Sequence, residues 1–324
     1  MDESTPPPSS APSVPSGPGV SARRYPRPAL STLGLAPGKR TRLKRLLYQY
    51  GPGGGTLLIL PIDQGLEHGP VDFFVNPDAL DPKYQYDLAR DGKFSAIALH
   101  IGLAEKYFHE YAGDVPLILK LNGKTSIPPD GQAFSPLTGS VEDAVRLGAD
   151  AVGYTVYVGS PAQDRDIAQF MTVRRDAERL GMPTIVWAYP RGEAVGKKGG
   201  KESLYAIDYA ARVALELGAD IVKLNYPVAS EKDAESPAPY NTLRLSHDAA
   251  FRKVVESAGR ALVLVSGGEK VGDSEMLTKV RSSMDAGATG IIFGRNLWQR
   301  SKPDALRITR ELHAIFREYA HPVA

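Results

Sequence analysis

The chain has 324 residues, 42% of them hydrophobic, a formal net charge of +2 and no cysteine. That length suits one large α/β domain or two small ones, and the missing thiols exclude disulfides, thiolate metal sites and a cysteine nucleophile. The near-neutral charge, with basic residues scattered along the chain, excludes a nucleic-acid-binding stripe, and no apolar run is long enough to span a bilayer.

Residues 1–28 are rich in Pro, Ser and Gly, with Pro6, Pro7 and Pro8 in a row. The segment lacks the basic start and apolar core of a signal peptide. It cannot bury enough apolar surface to offset its ordering entropy, which predicts a disordered tail over 1–28 and a single catalytic domain over 29–324. A chain without leader or thiols fits the reducing cytoplasm. Residues 29–50 include the run KRTRLKRLLYQY, which predicts a basic leader helix packed under the domain with its charges in solvent.

Beyond the leader, eight short runs rich in Val, Ile and Leu alternate with longer stretches. They are Thr56–Ile62, Phe94–Ile101, Pro116–Leu121, Ala151–Val158, Pro183–Ala188, Asp220–Leu224, Ala261–Val265 and Gly290–Phe293. Continuous apolar runs of this length suit strands covered on both faces, as in a parallel sheet. Val141–Leu147, Gln169–Leu180, Tyr205–Leu217 and Asp304–Tyr319 carry apolar residues three and four apart, the period of a helix lying on such a sheet. Several helices stop at a glycine before the next strand, as in Leu147-Gly148, Leu217-Gly218 and Ala286-Gly287. Eight strand–helix units predict a (β/α)8 TIM barrel. A doubly wound sheet uses the same units, but the first strand lacks its GxGxxG turn.

In such barrels chemistry sits where the strands end. Strand one ends in Asp63-Gln64-Gly65, with Glu67 and His68 beyond; strand two carries His100 and strand three Lys120. Strand five ends in Trp187-Ala188-Tyr189, strand six holds Lys223, strand seven ends in Ser266-Gly267-Gly268 and strand eight in Gly294-Arg295. Lys223 interrupts an apolar strand. A lysine pointing into a barrel is desolvated, which leaves a fraction as the neutral amine able to attack a ketone and form an iminium. Lys120 is a similar interruption. The glycines after strands seven and eight let backbone N–H groups approach an anion, the usual phosphate position in these barrels. Tyr189 and Asp63 are candidates for the proton transfers that C–C cleavage beside an iminium needs.

The segments PIDQGLEHGP (61–70), WAYPRG (187–192), LGADIVKLNYP (217–227), SGGEK (266–270) and FGRNLWQR (293–300) together resemble the archaeal-type class I fructose-1,6-bisphosphate aldolases, over nearly the whole chain from about residue 50. The resemblance implies Lys223 as the Schiff-base lysine, Tyr189 as the proton donor, Asp63 as the carboxylate that handles the substrate hydroxyl, and Trp187 as a wall of the pocket. It further implies Ser266, Gly267, Gly294 and Arg295 around one phosphate, and Gly268 is expected to join them from its place in the glycine pair. Lys197 and Lys198, in the GKKGG loop, are expected to meet the other phosphate, and closure of residues 192–203 to keep water out.

By that resemblance the protein is a lyase without a cofactor or metal, acting on a phosphorylated sugar as a homo-oligomer. One active site would serve glycolytic cleavage and gluconeogenic condensation alike. Alternatives are a transaldolase-type synthase or an acyltransferase acting on another phosphorylated ketone, and a non-catalytic barrel that binds phosphorylated metabolites. A metal-dependent aldolase needs several imidazoles at strand ends. Of six histidines only His68 and His100 lie near one.

Overall fold

The computed structural model describes residues 24–267 and 271–321. Its parallel strands are β1 (Leu57–Pro61), β2 (Ala96–His100), β3 (Leu117–Lys120), β4 (Ala151–Val158), β5 (Thr184–Pro190), β6 (Ile221–Leu224), β7 (Leu262–Ser266) and β8 (Gly290–Ile292). They follow one another around a closed barrel, and β8 pairs with β1 through Leu57–Gly290 and Ile59–Ile292. All eight expected strands are present, each within a residue or two of its expected ends.

Helices α1 (Pro37–Lys44), α2 (Gln64–His68), α3 (Pro82–Asp91), α4 (Ile101–Tyr107), α5 (Val141–Arg146) and α6 (Gln163–Arg179) occupy the first half of the chain. The second half holds α7 (Glu193–Gly196), α8 (Leu204–Glu216), α9 (His247–Ser257), α10 (Asp273–Asp285), α11 (Arg295–Trp298) and α12 (Lys302–Glu318). Helix α5 begins at a capping box in which Ser140 accepts the Asp143 N–H and Asp143 accepts the Ser140 N–H. None of the described helices is long and apolar enough to cross a membrane.

Strand side chains sort into two cores by parity. On β6, Ile221 joins the inner core of the barrel, whereas Val222 and Leu224 pack outward against helices. The same alternation places Ile118 inside with Leu117 and Leu119 outside, and Ile185 and Trp187 inside with Val186 and Ala188 outside.

The leader closes the lower end of this inner core with Leu30, Leu43, Leu46 and Leu47. It is a 3-10 turn, then α1, then a π-helical turn over Arg45–Gln49, in place of one helix over 29–50. Its charges do not simply face solvent. The Lys39 ammonium is buried, 2.7 Å from Glu178 and 3.0 Å from Asp220, and Arg45 lies 3.0 Å from Asp150. Asp150 and Asp220 stand just before β4 and β6, so the basic run neutralises carboxylates at the barrel floor. Breaking such a buried pair from one side is costly, because the other charge stays behind.

Composition assigns residues 24–28 to the tail, yet they pack on the lower face. Tyr25 donates its N–H to the Asp285 carbonyl at 2.9 Å, Arg24 donates to the Glu318 carbonyl at 2.8 Å, and Arg27 donates to the Gly55 and Tyr319 carbonyls. Short polar and Pro-rich segments escape a compositional test when a few backbone acceptors hold them. Residues 1–23 of the expected tail lie outside the described residues.

Candidate active site

One parity rule assembles the site. Lys223 follows Ile221 by two, Lys120 follows Ile118 by two, Tyr189 follows Trp187, and Ser266 follows Leu264. All of them therefore share the inner face with Ile221, Ile118, Trp187 and Leu264. At the strands' C-terminal ends Lys223, Tyr189 and Ser266 border a cavity of about 510 Å³, lined also by Asp63, Glu67, Arg191, Gly267 and Arg295, while Lys120 lies outside its lining.

Two lysines enter the barrel, and their bonding tells them apart. Lys120 is fully enclosed and tethered: its ammonium donates to the Asn122 carbonyl at 2.9 Å and to Thr155 Oγ1 at 2.8 Å. Lys223 is 6% exposed, faces the cavity, and makes no hydrogen bond or ion pair with a described residue. Its Nζ lies 5.2 Å from the Trp187 ring centroid and 5.3 Å from that of Tyr189. Burial holds both amines below the ordinary lysine range. For Lys223, Asp63 and Glu67 oppose that effect and Arg295 reinforces it. A buried amine with an open approach and no acceptor has the properties of a nucleophile.

Trp187 lies close to both amines, since Lys120 Nζ is also 5.2 Å from its ring. Room for the indole comes from Gly153 on β4, which is in register with Lys120 on β3. A Cβ at 153 would come within 2.7 Å of the indole and 3.0 Å of the Lys120 stem. The Trp187 N–H is buried with no partner among the described residues.

Proton-handling groups crowd the strand-one side. Asp63 is buried directly before α2, and Glu67 lies within that helix. Burial and the neighbouring Asp63 push the Glu67 carboxyl above its usual range, while Lys120, Lys223 and His68 pull it back. Burial, helped by Glu67 and Asp63, raises the Tyr189 phenol well above its usual value, so it remains a hydrogen-bond donor. His100 is pushed down to about 4 by burial and by Lys120, which keeps it neutral.

The expected phosphate residues divide. Ser266, Gly267 and Arg295 line the cavity, with the Ser266 hydroxyl donating to Asn225 Oδ1 and Arg295 3.9 Å from Asp72. Gly294 opens α11, where a Cβ would meet the Pro61 carbonyl at 2.9 Å, so glycine is needed there for packing in any case. Gly268 lies outside the described residues. Lys197 and Lys198 do not reach the site: Lys197 is exposed and paired with Glu193 at 2.6 Å, and Lys198 borders a separate hollow with Val195 and Tyr209. Loop direction, which hydrophobic period does not encode, turns them away.

The sequence reading missed a side recess of about 80 Å³ that shares Glu67, His68 and Arg191 with the main cavity and adds Lys124. There Asp130 sits between two cations, 2.7 Å from Lys124 and 3.1 Å from Arg191. A signal existed: Arg191 stands in WAYPRG, and Lys124 follows strand three by four residues. Among the described residues no group of three or more His, Asp or Glu side chains is arranged to hold a metal ion.

Residues 57–300 match the family model of the DeoC/LacD family aldolases. The chain is 43% identical over 259 residues to a class 1 fructose-bisphosphate aldolase of Thermoproteus tenax, covering 80% of this chain and 88% of that protein. It is 33% identical over 287 residues to a 2-amino-3,7-dideoxy-D-threo-hept-6-ulosonate synthase of Halobacterium salinarum, covering 89% and 94%. Among solved structures it is similar to an archaeal fructose-1,6-bisphosphate aldolase whose catalytic lysine is bound covalently to the carbinolamine intermediate. The TM-score is 0.71 at 40% identity, covering 85% of this chain and 98% of that one.

Proposed function

The chain belongs to the DeoC/LacD family of aldolases and is a class I fructose-bisphosphate aldolase, and from that premise we propose that Lys223 is the amine that forms the Schiff base. The observation that carries this assignment is the contrast between two inward lysines, one tethered to two acceptors and one unbonded at the cavity.

The cycle follows from the residues around it. Lys223 attacks C2 of open-chain fructose 1,6-bisphosphate, and loss of water leaves an iminium. Asp63 takes the C4 hydroxyl proton, the C3–C4 bond breaks, and glyceraldehyde 3-phosphate departs. The bonding pair is held as an enamine by the iminium. Tyr189 protonates that carbon, and hydrolysis frees dihydroxyacetone phosphate. Trp187 holds the amine against one wall. Ser266, Gly267, Gly294 and Arg295 hold the phosphate nearer C2.

The other phosphate is met in the side recess by Arg191 and Lys124, with Asp130 yielding its place to the stronger anion; Lys197 and Lys198 have no part in it. Arg191→Ala is expected to raise KM for fructose 1,6-bisphosphate by roughly tenfold or more, the weight of one charge-assisted contact of about 1.5–3 kcal/mol. The KM for fructose 1-phosphate should change far less. Equal changes for the two sugars would remove Arg191 from the phosphate.

A synthase is also similar, at 33% identity, and the higher identity to a bisphosphate aldolase favours the latter. We further infer a cytoplasmic homo-oligomer. Exposed apolar side chains at Val71, Phe74, Val75 and Leu80 support assembly.

Borohydride reduction in the presence of dihydroxyacetone phosphate and EDTA, followed by peptide mass mapping, tests the mechanism. A stable adduct is expected on the peptide containing Lys223. No adduct, or loss of activity to EDTA alone, would overturn the Schiff-base mechanism, and an adduct on Lys120 would move it to another strand.

A further inference from the structure

Asp130 occupies the side recess in the absence of substrate. One of its oxygens lies 2.7 Å from the Lys124 ammonium and the other 3.1 Å from Arg191 Nε. Neither cation depends on Asp130 for its position. Lys124 Nζ also donates to the Thr125 carbonyl at 3.2 Å, and Arg191 Nη1 donates to the Pro190 carbonyl at 2.9 Å. The guanidinium is set further by two rings, 5.3 Å from the Tyr189 centroid and 5.8 Å from that of Tyr157. An anion site is therefore built without Asp130, and Asp130 fills it.

The stretch that carries Asp130 is able to give up this contact. Residues 125–132 are exposed throughout, and even the apolar Ile127 packs on nothing. Ser126 is fixed by its N–H to the Glu67 carbonyl at 2.8 Å. From residue 127 to residue 132, the only hydrogen bonds or ion pairs to the rest of the chain among the described residues are those of Asp130. Burial of the Asp130 carboxyl is outweighed by the hydrogen bond from Lys124 and the charges of Lys124, Arg191 and Lys201. These hold it below the usual carboxylate range, so it is an anion at neutral pH. Half-exposed pairs of this kind are individually weak, and a stronger anion displaces them.

We propose that Asp130 is a specificity-determining residue, a tethered carboxylate that competes with the phosphate farther from C2 for Lys124 and Arg191. Its short tether gives it a high effective concentration at the two cations. A sugar ending in a carboxylate, or a free monovalent anion, therefore meets an equal already in place. A phosphate monoester carries nearly twice the charge and three acceptor oxygens, and it displaces Asp130. The recess thus opens to phosphorylated sugars and stays closed to sugar acids and simple salts. This selectivity lowers the affinity for fructose 1,6-bisphosphate, because only the fraction of protein with the recess vacated accepts its second phosphate.

The inference rests on the recess as the second phosphate site, and steady-state kinetics of Asp130→Asn beside Arg191→Ala separate the two. Asp130→Asn keeps the shape and drops the charge. It should lower the KM for fructose 1,6-bisphosphate about fivefold with little change in kcat, the weight of one or two half-exposed ion pairs. The KM for fructose 1-phosphate, which lacks the second phosphate, should move less than about twofold. Added acetate should raise the KM of Asp130→Asn for the bisphosphate more than that of wild type, since a free carboxylate then takes the vacated place. A merely structural role would not give that response. Suppose Arg191→Ala raises the KM for the bisphosphate alone while Asp130→Asn leaves it unchanged or raises it. Asp130 is then no competitor, and the recess remains the phosphate site. A fall in KM for both sugars alike in Asp130→Asn, or an equal response of variant and wild type to acetate, also overturns the proposal. Equal effects of Arg191→Ala on the two sugars remove the recess from phosphate binding, and Asp130 with it.

Discussion

Lys223→Met should bring turnover down to background, a loss of at least about 10⁶-fold, while the protein stays folded. No other group can replace the covalent step. Lys120, the other inward amine, is held by the Asn122 carbonyl and Thr155 and does not line the cavity. Stability should hold or rise, because methionine fills a similar space, strands no hydrogen-bond partner and removes an amine that burial disfavours in its charged form. Steady-state assays paired with a thermal melt check both halves. Substantial residual activity would end the case for Lys223, and a large drop in Tm would leave the lost activity explained by unfolding.

Tyr189→Phe should separate the covalent step from the proton step. The ring remains, with its packing against Lys223 and Arg191, and only the hydroxyl is lost. The Lys223 iminium should still be trapped. Exchange of the proton on the enamine carbon should slow by about 10²–10⁴-fold, the range for a positioned acid–base group. Because burial lifts this phenol well above its usual value, it stays protonated through the ordinary working range, so its ionisation should impose no alkaline fall on exchange. Unchanged exchange in Tyr189→Phe would take Tyr189 out of the mechanism.

The barrel is legible in the sequence because its strands are buried on both faces and read as unbroken apolar runs, from Thr56–Ile62 to Gly290–Phe293. Inward lysines are legible for the same reason, since a charge within Ile221–Leu224 breaks the pattern. Helix α6 begins at Gln163, ahead of the expected Gln169, because its first turn is nearly all polar and carries no period. The proposed second phosphate contact is less legible. Two lysines between glycines look available for an anion, but they point outward, while Arg191 and Lys124 converge only through the folded paths of two loops. Glu67 is legible in the sequence as an acid beyond strand one, but its proximity to Lys223 and Lys120 exists only once the barrel closes.

The closeness of Trp187 to both inward amines gives the enzyme its own optical gauge. Of the two tryptophans in the chain, Trp298 is buried away from the lysines, stacked on Phe73 at 4.9 Å and donating its N–H to the Pro61 carbonyl. Trp187 instead has its face 5.2 Å from the nitrogen of Lys223, the atom whose charge and bonding the proposed cycle changes. Emission from that indole should therefore follow the birth and decay of the proposed covalent intermediate in unlabelled protein. Stopped-flow fluorescence then resolves, in real time, steps that turnover assays merge into one rate.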